Sequence, residues 1–459
     1  MTNEDRIEIL NKKRIAINNI SPSFCTAKWL QTTLYLQNGY NHSCHHPSPH
    51  KIPIEEIREN PAALHNSKFK KEQRVKMLNG DRPSECDYCW KIEDLDKEYF
   101  SDRHYKTSDY WAWDRLEECS TSDPNKDITP SYLEVSFSNV CNFKCVYCSP
   151  DVSSKWMEEI ERYGPYPTST GNHDLTWLKQ SGRFPYKQSD DNPYVDAFWK
   201  YLPEIYEKLR VLRVTGGEPL MSKDVWKLLE FIKLNPQPNL ELAINTNLCV
   251  ENKLIDKFIN EVNELTGKVK RIDVYTSIES SGIRAEYARY GLNYAQWQKN
   301  VRKILSETES TVGIMTTVNA LSLSTTVDFL ESIMQLRKEF NTDFANNRIP
   351  VSINYLRWPN HLSVNVLPTE LRSSYALDIS TRAEKWLKYY NADGFARLYL
   401  EEWDQVKRLC DYLSTVEPAD PTDFIKFVDE LDRRRGTNFY MTFPEYREFI
   451  QCQRNQTNH

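Results

Sequence analysis

Three cysteines stand within eight positions of one another in Cys141-Asn-Phe-Lys-Cys145-Val-Tyr-Cys148. A CxxxCxxC spacing lets three thiolates converge from one tight loop. A structural zinc site closes its tetrahedron with four protein ligands, whereas an iron–sulfur cubane held by three thiolates keeps one iron open to an outside ligand. A zinc site borrowing a distant fourth ligand, or three unliganded thiols in a loop, is the alternative. Four more cysteines lie upstream: Cys25, Cys44, Cys86 and Cys89, separated by eighteen, forty-one and two residues. Four can close a site, either around an iron–sulfur cluster or around zinc. His42, His45, His46 and His50 crowd Cys44 and could replace one of the four, though as solvated loop histidines they need no role. Cys119, Cys249, Cys410 and Cys452 have no ligand spacing.

The elements that must position these groups follow from periodicity. Ser120 to Pro130 is a run of turn-forming and polar residues that makes a boundary, and from Tyr132 short β-rich runs alternate with amphipathic stretches. The predicted strands are Tyr132 to Phe137, Val211 to Thr215, Leu240 to Asn245, Arg271 to Ser277, Val312 to Val318 and Val351 to Leu356. Predicted helices include Ser222 to Leu234, with Val225, Leu228, Leu229 and Ile232 at i, i+3, i+4 and i+7. Leu254 to Leu265 repeats the pattern with Leu254, Ile255, Phe258, Ile259 and Val262. Six βα units fit an open doubly wound sheet or an incomplete barrel. The polar stretch Tyr163 to Tyr194, between the first two strands, has the length of a lid or substrate-binding loop. The region after Leu356 reads as a helical cap containing Trp386, Leu387, Leu400 and Trp403.

A CxxxCxxC loop directly after the first strand of a βα series resembles the radical S-adenosylmethionine (SAM) superfamily. The resemblance implies an incomplete (β/α)6 TIM-like barrel within an α/β fold. Tyr147, just before the last cysteine, matches the position that packs near the adenine. Thr215-Gly216-Gly217-Glu218-Pro219, closing the second strand, matches the family's GGEP element. Its two glycines let backbone approach a ligand, and Glu218 can accept a hydrogen bond from the methionine ammonium. Ser277 and Glu279, ending the fourth strand, resemble the ribose-contacting pair, a solvated strand end being the alternative. Thr246, Asn247 and Asn319 are candidates for the barrel mouth, as is Cys249, a candidate hydrogen-atom donor. The implied chemistry is reductive cleavage of SAM by a [4Fe–4S] cluster on Cys141, Cys145 and Cys148, giving a 5′-deoxyadenosyl radical that takes a hydrogen atom from the substrate.

Cys25, thirteen residues, Gly39, four residues, Cys44 resembles the opening of the auxiliary-cluster domains called SPASM and twitch. Cys86 and Cys89 then complete the ligands of one auxiliary [4Fe–4S] cluster, with a four-cysteine zinc site as the rival. Such domains normally follow the barrel, and here the cysteines precede it. The expected division is residues 1–120 as the auxiliary-cluster domain, 130–360 as the barrel and 361–459 as the helical cap. By analogy the substrate is a peptide, with a small metabolite or nucleotide second; a non-catalytic zinc-binding scaffold is the alternative from another class. An electron donor such as flavodoxin or ferredoxin is the implied partner.

Composition bounds the rest. The chain has 459 residues, 39% hydrophobic and 27% charged, with a formal net charge of −6; mean hydropathy is −0.67. Nothing in that balance argues for a nucleic-acid or membrane-surface partner. No stretch approaches the ~18 apolar residues of a transmembrane helix. A reducing, cytoplasmic compartment is expected, in which clustered cysteines serve metals or redox chemistry. The runs Lys68 to Lys71 and Arg433 to Arg435 read as solvated faces.

Overall fold

The computed structural model describes residues 3–96, 99–171, 173–342, 346–388 and 396–457. The chain divides into two compact units. One comprises Met1–Asn139, Gly182–Ala243 and Gly267–Arg271; the other comprises Val140–Ser181, Ile244–Thr266 and Ile272–His459. The strands are β1 Gln31–Tyr35, β2 Tyr40–His42, β3 His50–Lys51, β4 Tyr132–Ser136, β5 Lys144–Cys145, β6 Val211–Thr215, β7 Gln237–Asn245, β8 Val269–Ser277, β9 Arg289–Tyr290, β10 Thr311–Val318 and β11 Val351–Tyr355. All six predicted strands are present, as β4, β6, β7, β8, β10 and β11, with ends displaced by no more than three residues. The fold is α/β with a largely parallel sheet.

In the first unit the strand order is β3-β2-β1-β4-β6-β7. β1 runs parallel to β4 with Gln31 opposite Tyr132, and β4 runs parallel to β6 with Tyr132 opposite Val211. β4 is therefore flanked on both sides. Leu133, Val135, Leu212 and Val214 are fully buried and supply the apolar alternation that made β4 and β6 legible. β1 carries Gln31, Thr32 and Thr33, polar yet buried, so periodicity passed it over. Helix Lys223–Leu234 covers this sheet with the predicted Val225, Leu228, Leu229 and Ile232. Each such side chain contributes roughly 1.5–3 kcal/mol on burial.

In the second unit β8, β10 and β11 are parallel, with Asp273 opposite Thr311 and Ile314 opposite Val351. Helix Asn252–Leu265 buries Ile255, Phe258, Ile259, Val262 and Leu265. After β11 the chain is helical, in Thr369–Lys388, Leu400–Thr415, Thr422–Arg435 and Arg447–Thr457. The second of these helices is tied to β11 by Glu402, which receives Arg337, a fully buried guanidinium, and the Val351 amide at 3.0 Å.

Both charge runs correct the expectation of solvated faces. Lys70 is fully buried, its ammonium donating to Gln31 O at 2.8 Å. Arg433 does face solvent, but Arg434 and Arg435 turn inward on the same helix. Arg434 donates to Gly164 O and Pro165 O, and Arg435 reaches Glu159 and Lys144 O. Successive helix positions point about 100° apart, so one run of like charge spans both a wet and a dry face.

Candidate cofactor site

In the second unit the three-cysteine loop is pinned through its backbone. β5 pairs antiparallel with β9, placing Cys145 opposite Arg289. Val146 N donates to Ala288 O at 2.8 Å, Cys148 N to Cys145 O at 2.9 Å, and Trp156 Nε1 to Cys145 O at 2.8 Å. Ser153 caps helix Ser154–Tyr163 and donates to Phe143 O at 2.7 Å. Gly291, at φ +111°, permits the close approach of Asn142 and Phe143: a Cβ there would sit 2.7 Å from Asn142 O. From below, Glu159 gathers Lys144, Arg435 and Tyr166. Trp156 stacks on His173 at 4.4 Å, and His173 contacts Cys148 O at 3.3 Å, so part of the long insertion lies against the loop.

Burial pushes the Cys145 and Cys148 thiols up, and Cys148 is raised further by Cys145 and Cys141, which lie within its electrostatic reach. Thiols in that state are not nucleophiles; a bound metal is what would displace their protons. Among the described residues, the His/Cys/Asp/Glu trio with donor atoms all within 4.8 Å of one another is His45, His46 and Asp102.

Beside Cys145 lies a polar group that periodicity passed over. Arg289 is buried and donates to Glu279 Oε2 through Nε at 3.0 Å and Nη2 at 2.6 Å. It also donates to Tyr147 OH, while Nη1 lies 3.6 Å from Cys145 Sγ. Tyr147 OH in turn donates to Glu279 Oε2 at 3.1 Å. Glu279 is 1% exposed, and its Oε1 has no hydrogen-bond partner; neither has Ser280 Oγ, fully buried next to it. A buried acceptor left unpaired costs about 1–3 kcal/mol, so Glu279 Oε1 suits a ligand hydroxyl or ammonium. Ser277 stands half-buried at the end of β8, opposite Met315. Arg289 and Ser280 had no sequence signal beyond following β8.

In the first unit Gly216 adopts φ +132°, and a Cβ there would meet Ser136 Oγ at 3.0 Å and Ser138 O at 3.1 Å. Gly217 N donates to Ser138 O at 3.2 Å. Glu218, 1% exposed, caps the following 3₁₀ turn by accepting from Leu220 N at 3.0 Å. Gly216 thus lets Ser136 and Ser138 pack directly against this turn.

The first unit also brings Cys25, Cys44, Cys86 and Cys89 together around one small apolar cavity lined by Met77, Trp90 and Arg103. Burial pushes the Cys44 thiol up to about 12 and Cys86 to about 11, with Cys25 adding to both. His46 borders the cavity but bonds Asp102 and stacks on Tyr88 at 3.7 Å. His42 engages Cys44 O, and His50 engages Ser67 Oγ at 3.2 Å.

The remaining candidates are placed by their own turns. Asn247 donates to Asn142 Oδ1 at 2.8 Å, and Asn142 donates to Cys249 O at 2.9 Å, so this strand end touches the cysteine loop. The Cys249 thiol donates to Asn293 O at 3.4 Å. Thr246 Oγ1 accepts from Leu248 N, and Asn319 Oδ1 from Leu321 N.

The sequence profile described as the radical SAM superfamily matches residues 135–333. Curated relatives are named GTP 3′,8-cyclase. That of Nautilia profundicola is 30% identical over 164 residues, 32% of this chain and 41% of the relative. That of Nitrobacter winogradskyi is 25% identical over 271 residues, 56% of this chain and 66% of the relative. That of Sulfurimonas denitrificans is 27% identical over 121 residues, 26% of this chain and 28% of the relative. The chain thus spans between about a quarter and two thirds of the length of these relatives.

Proposed function

We propose, from the premise that residues 135–333 are a radical SAM domain, that this chain binds SAM at a cluster on Cys141, Cys145 and Cys148 and abstracts a hydrogen atom from an organic substrate. The observation that carries the reading is the loop that brings Cys141 and Cys145 within electrostatic reach of Cys148, beside Glu279, whose Oε1 is buried and unpaired. Bound there, the cluster and SAM supply one-electron carbon–sulfur cleavage and a primary carbon radical. The chain's own residues do the rest. Cys141, Cys145 and Cys148 hold the cluster, Gly216 and Gly217 admit the methionine end, and Glu218 receives its ammonium. Ser277 and Glu279 take the ribose hydroxyls, and Tyr147 stands on the adenine side. Cys249, whose thiol donates to Asn293 O at 3.4 Å, is kept as the candidate hydrogen-atom donor.

Cys25, Cys44, Cys86 and Cys89 hold an auxiliary [4Fe–4S] cluster; the support is that all four line one cavity. We retain residues 1–120, 130–360 and 361–459 as functional divisions, with 130–360 closing as an incomplete (β/α)6 barrel. The substrate is assigned to the nucleotide class, because the relatives are named for GTP; nothing in them supports the peptide expectation. A low-potential electron donor of the flavodoxin or ferredoxin type reduces the cluster. No described helix is long and apolar enough to cross a membrane.

Anaerobic reconstitution followed by iron and sulfide analysis tests the assignment, together with a 5′-deoxyadenosine assay. About eight irons per chain are expected, falling to about four in Cys145→Ala with loss of SAM cleavage. Unchanged iron and undiminished cleavage in Cys145→Ala would refute the reading. Nucleoside triphosphates and peptides added in parallel should differ, only the former increasing 5′-deoxyadenosine formation.

A further inference from the structure

His45 and His46 lie in the turn between β2 and β3, and both face Asp102, which is 56 residues beyond His46. His46 Nε2 lies 2.5 Å from Asp102 Oδ2, and His45 Nε2 lies 3.5 Å from the same oxygen. The three donor atoms are all within 4.8 Å of one another. Contacts outside the trio hold them there. Asp102 opens helix Asp102–Ser108, whose start is fixed by the reciprocal cap between Ser101 and His104. Arg103, the next residue, donates to Glu93 at 2.7 and 2.8 Å and to Phe24 O at 3.1 Å. The His46 ring stacks on Tyr88 at 3.7 Å with 9° between the planes, and the His45 ring lies 4.2 Å from the His46 ring. A hydrogen bond that merely joined the turn to the helix would need His46 and Asp102 alone. His45, with 61% of its side chain exposed, nonetheless rests its Nε2 against the same carboxylate oxygen.

We propose that His45, His46 and Asp102 form a binding site for a divalent transition-metal ion of the zinc class, at the rim of the four-cysteine cavity and separate from the cysteines. Two imidazoles and one carboxylate are a donor set that suits zinc and its neighbours rather than magnesium or calcium, which take oxygen ligands. With bonds of 2.0–2.1 Å, donors on a tetrahedral ion stand about 3.4 Å apart. The His45–Asp102 separation of 3.5 Å already matches that spacing. The His46–Asp102 contact of 2.5 Å must open by about 0.9 Å, as the ion takes the place of the proton the two share. Three protein ligands leave the fourth position to water. The bound ion clips the turn that carries Cys44 to helix Asp102–Ser108. His46, Asp102 and Lys106 line the four-cysteine cavity together, and the Lys106 ammonium weakens the affinity without taking a ligand position.

The test uses full-length protein reconstituted anaerobically with iron and sulfide and then desalted, so that the cysteines are occupied before zinc is added. Zinc is titrated in competition with a chromogenic chelator, and iron is counted before and after. The parent protein should take up one zinc per chain with its iron unchanged. His45→Ala and Asp102→Asn each remove a ligand and should weaken that zinc by at least about tenfold, the lower end of what losing even an outer-shell partner costs. His50→Ala is the control, because that ring faces Ser67, and affinity should stay within about twofold of the parent. The exposure of His45 keeps His45→Ala from disturbing the packing. No added zinc, zinc gained only as iron is lost, or equal affinity in the parent and His45→Ala overturns the proposal, as does equal weakening in His50→Ala. Where the cysteines themselves take zinc, a difference of one equivalent between the parent and His45→Ala supports the site, and equal zinc in the two overturns it.

Discussion

Replacing Arg435 with methionine should loosen the cysteine loop from a point remote in sequence. Arg435 Nε and Nη2 each lie 3.1 Å from Glu159, and Nη1 donates to Lys144 O at 2.8 Å, with the side chain fully enclosed. Removing one partner of a buried ion pair costs about 3–5 kcal/mol when the other charge is abandoned. Glu159 is not abandoned, since Lys144 and Tyr166 still donate to it, so the electrostatic part falls below that range. Lys144 O loses its charged donor, worth about 1–3 kcal/mol. Together these give about 3 kcal/mol of local opening. At 1.36 kcal/mol per tenfold, that is roughly a 150-fold faster exchange of an amide the loop protects. Val146 N, bonded to Ala288 O, is that amide, read by hydrogen–deuterium exchange with mass spectrometry on metal-free protein. Arg433→Met is the control, because Arg433 on the same helix forms an exposed pair with Glu430, and exchange should change less than about threefold. Equal protection of Val146 in Arg435→Met and the parent protein, or equal loss in both variants, would refute the clamp.

The same clamp has a pH signature. Burial pushes the Glu159 carboxyl up, but Arg435, Lys144 and Tyr166 outweigh it and hold the group near 2, below its ordinary 4.5. A depressed carboxyl contributes fully above its unfolded value and progressively less as pH falls toward 2. Val146 protection, corrected for intrinsic exchange, should therefore be flat from about pH 7 to 5 and decline below about 4.5. Glu159→Gln should remove that dependence. Gly216→Ala should impose left-handed backbone strain and crowd Ser136 and Ser138, costing about 1–3 kcal/mol. Equilibrium dialysis should find SAM affinity on the iron-loaded protein weakened at least fivefold, and unaltered affinity would remove Gly216 from the site. Arg337→Met should free helix Leu400–Thr415 from β11, seen as faster amide exchange at Val351.

What could be read from sequence was what is local and apolar. β4 and β6 declared themselves through Leu133, Val135, Leu212 and Val214, and the two cysteine groups through count and spacing. β1 escaped because Gln31, Thr32 and Thr33 are polar yet buried, so no apolar alternation marks the strand. Arg435 was misassigned for a related reason: a charged side chain reveals its partner only in three dimensions, and Glu159 is 276 residues away. Arg289 was invisible because a two-residue strand, β9, places it opposite Cys145. Two of the polar contacts that define the Tyr147, Glu279 and Arg289 group span 132 and 142 residues, beyond any periodicity window.

The contact between Arg435 and Lys144 joins positions 291 residues apart. A ribosome adding roughly 5–20 residues per second needs about 15–60 s to travel that distance. Throughout that interval the cysteine loop has been synthesised and its clamp has not. The nascent chain therefore presents Cys141, Cys145 and Cys148 in an unlatched loop before the last long helices arrive to close it.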